Sequence, residues 1–243
     1  MHDYIKYLLF TKYILKTLTS LSTIKNNNII GFREELSIMN GIDIVEIKSI
    51  LDWNNNKLTL QNLPSNDGHV SITEMVILCA FASNLNQNQN FLEIGTFDGI
   101  TSYNCALNAV KSKIYTIDLP SDHVLEENQK NEYLAYDLNL ISSENRKADS
   151  LNKLNNVTRL YGDSTKYDYS NLSFSMVFID GAHDYQSVKL DTENVLKHIS
   201  RPGNIFWHDY DVTNDVGKCL FKFSKEYDIK WIKNTRMCYL SIN

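Results

Sequence analysis

From about residue 69 to the end of the chain, short apolar runs alternate with stretches of helical period. That alternation predicts a parallel sheet covered by helices on both faces. Five strands are read in turn: "NFLEIG", "KIYTID" ending at Asp118, "VTRLYGD" ending at Asp163, "SMVFIDG" closing at Asp180 and "NIFWHD" closing at Asp209. Ser71 and Glu74 have the spacing of a capping box and introduce a buried helix, "MVILCAFASNL". Helices are expected over about Ile100–Val110, over a long stretch from Leu125 to Leu154, and over Thr213–Tyr227. Between strands four and five, Tyr185, Val188, Thr192, Val195, Leu196 and Ile199 share one helical face, and "RPG" at Arg201–Gly203 is expected to terminate that helix. The last two apolar runs, "IKWIKN" and "MCYLSI", are separated only by "TR", which permits only an antiparallel pair. The fold class expected is therefore α/β: a seven-stranded, mostly parallel, Rossmann-like sheet closed by a C-terminal antiparallel hairpin.

The first 68 residues do not join this rhythm and are read as an N-terminal helical appendage to a domain at 69–243. Their opening, "MHDYIKYLLFTKYILKTLTSLSTI", is amphipathic. Lys6, Lys12 and Lys16 break its apolar runs well short of the ~20 residues a membrane span needs. A packing or oligomer-forming helix is the reading adopted, with a membrane-surface helix as the alternative. The aromatics Tyr4, Tyr7, Phe10 and Tyr13 could also serve an acceptor pocket or a lid.

Composition narrows the function classes. A net charge of -5 over 243 residues argues against a nucleic-acid binder, which needs a basic stripe to displace counterions. Four scattered cysteines, Cys79, Cys105, Cys219 and Cys238, give neither a disulfide framework nor a zinc motif. Buried free thiols in a cytoplasmic protein are expected.

Candidate chemistry lies at the strand ends. Each of the five strands carries an acid there: Glu93, Asp118, Asp163, Asp180 and Asp209. In an open α/β sheet this edge is where ligands bind. The loop Gly95-Thr96-Phe97-Asp98-Gly99 separates two readings of that ligand. A dinucleotide loop leaves the following helix N-terminus free for a pyrophosphate, whereas Asp98 would sit beside it with a charge of the same sign. Asp118, nineteen residues beyond Gly99, is placed to accept ribose hydroxyls. An adenosine without pyrophosphate, together with acids that can receive an ammonium or sulfonium group, describes S-adenosylmethionine.

In this order, "FLEIGTFDGITS", "KIYTID", "LYGDS", "MVFIDGAHDY" and "NIFWHDY" resemble the class I S-adenosylmethionine-dependent methyltransferases, in particular small-molecule O-methyltransferases of the catechol and macrocin type. The resemblance implies that Glu93, Gly95, Thr96, Phe97 and Gly99 form the loop around the methionine part, with Thr101 and Ser102 near its carboxylate. It implies that Asp118 binds the ribose and that Asp163 and Ser164 lie at the adenine. Asp180 and Asp209 match metal-binding carboxylates, so a divalent cation such as Mg²⁺ is implied, and Asp180 borders the cofactor as well. His183 falls where catechol-type enzymes place the residue that takes the hydroxyl proton. Tyr210 departs from the asparagine expected there; His208 or Asp211 would then compensate, or a histidine would act without a metal. The expected function is methyl transfer to a hydroxyl of a small molecule, a sugar or a phenol. A non-catalytic cofactor-binding or assembly subunit is the alternative, and a nicotinamide-dependent oxidoreductase a more distant one.

Overall fold

The computed structural model describes residues 33–34, 37, 41–51, 57–63, 70–120, 122–123 and 134–243. The amphipathic segment at the start of the chain lies outside them. Strands β1 (Asp43–Val45), β2 (Asn90–Ile94), β3 (Lys113–Asp118), β4 (Val157–Tyr161), β5 (Phe174–Ile179), β6 (Ile199–Trp207), β7 (Lys230–Ile232) and β8 (Cys238–Ile242) form one sheet. Its order is β1-β7-β8-β6-β5-β2-β3-β4. All neighbours are parallel except β8, which runs antiparallel to both β6 and β7. The expected hairpin is present, and the sheet is one strand wider than expected. The extra strand, β1, comes from the segment read as a helical appendage and pairs Asp43, Ile44 and Val45 with Lys230, Trp231 and Ile232.

The helices are α1 (Ile47–Ile50), α2 (Ile72–Ser83), α3 (Ile100–Asn108), α4 (Ala135–Ile141), α5 (Tyr185–His198) and α6 (Asp215–Phe223). Side chains alternate across the strands, which splits the core into two layers. On one face Leu92, Ile94, Val177, Ile179, Ile205 and Trp207 meet Val188 and Val195 of α5 and Val216 and Leu220 of α6. On the other, Phe91, Met176, Phe178 and Phe206 meet Met75, Leu78 and Phe81 of α2 and Cys105 and Ala106 of α3. Each large apolar side chain buried in these layers contributes about 1.5–3 kcal/mol. All four cysteines are free and buried in these layers.

Two expectations at the level of elements need correction. The region after β3 read as a long helical stretch with polar interruptions is, where described, a short helix α4 followed by two 3-10 turns, Glu144–Lys147 and Asp149–Lys153. Ala148 adopts a left-handed backbone (φ 45) between the turns, which no continuous helix can pass through. The second concerns Arg201-Pro202-Gly203. Helix α5 already ends at His198, and the three residues lie inside β6, where the register with β5 shifts and pairing with β8 begins only at Gly203. That offset lets a proline sit in a central strand without costing a ladder hydrogen bond.

Candidate active site

The chain reverses its strand order between β2 and β5, and the carboxyl ends of these two strands are pinned together. Asp180 N donates to Ile94 O at 2.8 Å. Gly95 sits at φ 95, and a Cβ there would lie 2.0 Å from the Asp180 carbonyl oxygen, so only glycine lets the two turns approach this closely. Gly99, at φ 79, caps α3 and would drive a Cβ into Leu151. Between them Phe97 is held at φ 47, with its N–H donating to Asp118 Oδ2 at 3.0 Å. Asp98 accepts from Ile100 N at 3.0 Å, so a carboxylate does occupy the start of α3.

A cleft opens outside this switch point. Gly95, Phe97, Asp118, Asp163, Ser164 and Asp180 all line it, joined by Asp137, Leu140 and Ile141 of α4 and by Arg146. Asp118 Oδ1 accepts from Leu119 N at 2.7 Å and from Arg146 Nη2 at 2.9 Å. Arg146 is buried and also donates to the carbonyls of Ile141 and Leu119. It thereby ties the segment after α4 to the end of β3. Asp163 folds back on its own turn, accepting from Thr165 N, Thr165 Oγ1 and Lys166 Nζ. Burial raises its pKa, but these donors outweigh that and hold it below the usual carboxylate range.

Other predicted residues form the floor beneath the cleft. Glu93 is buried and accepts from Ser102 Oγ at 2.5 Å and Thr116 Oγ1 at 2.7 Å, while Thr96 joins the same chain through the Thr116 hydroxyl at 2.6 Å. Burial pushes the Glu93 carboxyl up to about 8 against the pull of these hydroxyls. Ser102, expected near the cofactor's carboxylate, instead turns inward to Glu93; Thr101 is half-buried beside it.

The ends of β5 and β6 build a cluster of charges. His183 Nδ1 meets Asp137 Oδ1 at 2.5 Å, and its Nε2 meets Asp209 Oδ2 in a very short contact. Ionised carboxylates only accept, so both ring nitrogens carry protons. Burial opposes the charge on this imidazole, but the bonds to Asp137 and Asp209 outweigh it and hold its pKa up at about 10. His208 is buried behind the carboxylates rather than in front of them. Its Nδ1 lies 3.0 Å from Asp180 Oδ1, and its Nε2 lies 3.4 Å from Glu74 Oε2. Arg236, from the β7–β8 turn, donates to Asp209 Oδ1 at 2.6 Å. Asp209 itself takes a left-handed backbone (φ 55), an uncommon conformation that concentrates at functional sites.

Among the described residues, four carboxylates, those of Glu74, Asp137, Asp180 and Asp209, thus gather around one permanent cation, Arg236, which favours either protonated histidines or a bound metal. Ligand atoms of Asp180, His183 and Asp209 lie within 4.8 Å of one another. The two carboxylates suit Mg²⁺ or Mn²⁺, whereas an imidazole in the set suits Fe²⁺, Ni²⁺ or Zn²⁺ better. Neither Tyr210 nor Asp211 joins this set. The Tyr210 hydroxyl lies 2.8 Å from Ser37 Oγ, and the Asp211 carboxylate is taken by Thr213 and Arg33. The sequence did not single out Asp137, Arg146 or Arg236, and Glu74 was legible there only as a helix cap.

Residues 92–210 match the model of a methyltransferase domain family. The matched segment is just under half of the chain and contains the cleft residues given above. Among solved structures, the O-methyltransferase NovP is 14% identical with a TM-score of 0.57, over 86% of this chain and 98% of that one. The Podospora anserina methyltransferase PaMTH1, solved with S-adenosylhomocysteine, is 15% identical with a TM-score of 0.52, over 75% of this chain and 83% of that one. At these identities the likeness is one of fold. No curated protein sequence matches the chain significantly. Among the described residues, no helix is long and apolar enough to cross a membrane.

Proposed function

We propose that this chain is a class I S-adenosylmethionine-dependent methyltransferase that transfers the methyl group to a hydroxyl oxygen of a small molecule, at the cluster formed by Asp180, His183 and Asp209. The observation that carries the reading is the adjacency of two sites. Asp180 lines the cofactor cleft and also belongs to the donor set that can hold a cation. A methyl donor lying along the cleft would therefore end beside the cation.

Within that reading, Asp118 binds the ribose hydroxyls with the oxygen positions that Phe97 N, Leu119 N and Arg146 leave open. Asp163 and Ser164 border the adenine. Glu93, Thr96 and Ser102 set the loop from below, and Gly95 lets it sit against the end of β5. Asp180 and Asp209 would hold a divalent cation, joined by His183 only once its Nε2 proton has been released, and the cation when bound lowers the pKa of a hydroxyl beside it. As the oxygen–carbon bond forms, the carbon–sulfur bond breaks, the hydroxyl proton passes to solvent water and S-adenosylhomocysteine remains. Positioning of the two reactants contributes most of the acceleration. With both ring nitrogens committed to carboxylates, His183 accepts no proton until one of those contacts opens. His208 acts as a positioning residue that holds Asp180 and Asp209 from behind. The part of the N-terminal segment that precedes β1 is assigned to the acceptor side, as a lid, pocket wall or oligomer contact, and a cytoplasmic location accords with the four free thiols.

The test is transfer of labelled methyl from S-adenosylmethionine over a panel of sugar, nucleoside and phenolic acceptors, each with and without chelator. Chelator-sensitive methylation of a hydroxyl is expected. Methylation of nitrogen or carbon alone, or transfer indifferent to chelator, would overturn the respective part of the assignment.

A further inference from the structure

Beyond Arg236 lies a second cavity of about 290 Å³, at the lower edge of the size of small-ligand sites; it shares no lining residue with the cofactor cleft. Among the described residues its walls include Arg33, Tyr210, Asp211, Trp231 and Arg236. The Tyr210 and Trp231 rings stand 5.6 Å apart at 52°, giving an aromatic wall of the kind on which sugar and aryl rings pack.

The charge of this cavity is the feature that selects a ligand. The chain carries a net charge of -5 and sets an acid at the end of each of β2 to β6 or in the turn just after it, yet here two guanidinium groups face one carboxylate. Asp211 accepts from Arg33 at 3.2 Å and from the Thr213 hydroxyl and N–H, so its charge is already shared out. Arg236 uses one nitrogen on Asp209. The remaining N–H groups of its fork are more than its described contacts consume, and its side chain is 62% exposed. The turn that carries it is fixed in place, because Arg236 N donates to Glu74 Oε1 at 2.5 Å and Tyr210 N donates to Arg236 O at 2.9 Å. A guanidinium anchored this way, touching the reaction centre through Asp209 and the cavity with its free edge, is preorganised for a planar, two-oxygen anion.

We infer that the acceptor is an anionic molecule: beside the hydroxyl methylated at the Asp180–His183–Asp209 centre it carries a phosphate or carboxylate group, bound by Arg33 and Arg236, with its ring against Trp231 and Tyr210. This rests on reading that centre as the methyl-transfer site. Tyr136 on α4 stands edge-on to His183 at 5.6 Å, so the centre is also bordered by an aromatic ring.

The experiment follows tryptophan fluorescence while glucose 1-phosphate, glucuronate and glucose are titrated into the full chain saturated with S-adenosylhomocysteine. Trp231→Phe assigns the signal to the cavity. At least one anionic sugar is expected to bind at least tenfold more tightly than glucose, and Arg33→Ala and Arg236→Ala are each expected to weaken it tenfold or more. Arg33→Ala is also expected to keep its affinity for S-adenosylhomocysteine within twofold, which shows that the fold survives. Equal binding of the neutral and charged sugars, no binding of either anion, or an Arg33→Ala protein that binds the anion as the parent does would each overturn the inference. Failure of the parent protein to bind S-adenosylhomocysteine would be a different result, directed at the cofactor site.

Discussion

Glu74 Oε2 and His208 Nε2 lie 3.4 Å apart across 134 positions of sequence, and the same carboxylate caps α2 through Ser71 N and holds the β7–β8 turn through Arg236 N. One buried side chain therefore joins the helix before the sheet, the end of β6 and the hairpin that supplies Arg236. Glu74→Ala is expected to cost about 3 kcal/mol, combining a lost cap with a buried His208 Nε2 and an Arg236 N–H left without their acceptor. For a chain of this size that is a fall of roughly 10 °C in melting temperature. Burial raises the Glu74 pKa, but His208 and the Arg236 and Ser71 N–H groups outweigh it and bring it down to about 2, below its ordinary 4.5. A depressed carboxylate pKa contributes stability above the unfolded value and loses it as pH falls through the folded one. The gap between parent and variant should therefore shrink as pH is lowered from about 5 toward about 2, measured by chemical denaturation at each pH. A gap that is constant across that range would contradict the account.

Glu93 shows the opposite sign. Burial lifts its folded pKa to about 8 from an ordinary 4.5, so between these values the folded protein keeps a proton that the unfolded chain has released. Stability attributable to Glu93 thus declines as pH rises through that window and levels off above it. Glu93→Gln, which keeps an oxygen for Ser102 and Thr116, should remove the decline. It should melt higher than the parent above pH ~8, by up to about 4 kcal/mol of stability, and show little gain near pH ~5. Melting curves of the two proteins in matched buffers decide it, and a gain independent of pH would assign the effect to packing instead.

The donor set of Asp180, His183 and Asp209 makes a third expectation. Prolonged chelation should lower methyl transfer about a hundredfold, and Mn²⁺ or Mg²⁺ should restore it, whereas Asp209→Asn should not be rescued at equivalent metal concentrations. Activity that survives chelation in full would leave the cluster to act through protons alone.

The parts of the fold legible in the sequence were those governed by short-range pattern. The five "strand plus acid" segments, the capping box at Ser71 and the short "TR" connection each carry their instruction within a few residues. The parts that were not legible depend on partners far away in the chain. Asp43–Val45 is a three-residue strand whose only reason to be extended is the edge of β7. Asp137 and Arg146 sit in a stretch whose periodicity suggested a continuous helix, yet their roles come from His183 and Asp118. The site shows the same division. The pattern of acids at strand ends puts Asp118, Asp180 and Asp209 on one edge of the sheet, and there the structure has them, because sheet geometry fixes strand ends. Whether a neighbouring polar group faces the cleft or the floor, as with Ser102 and His208, is settled by packing that no local pattern encodes.

The central claim is that an adenosine-bearing methyl donor lies in the cleft with its ribose on Asp118. Calorimetric titration of S-adenosylhomocysteine into the parent protein and into Asp118→Asn tests it most directly. The asparagine is the cleaner substitution, because alanine would leave the buried Arg146 guanidinium without its acid. The account predicts one-site binding to the parent and at least hundredfold weaker binding to the variant. Equal affinity in the two proteins, or no binding to either, would contradict it.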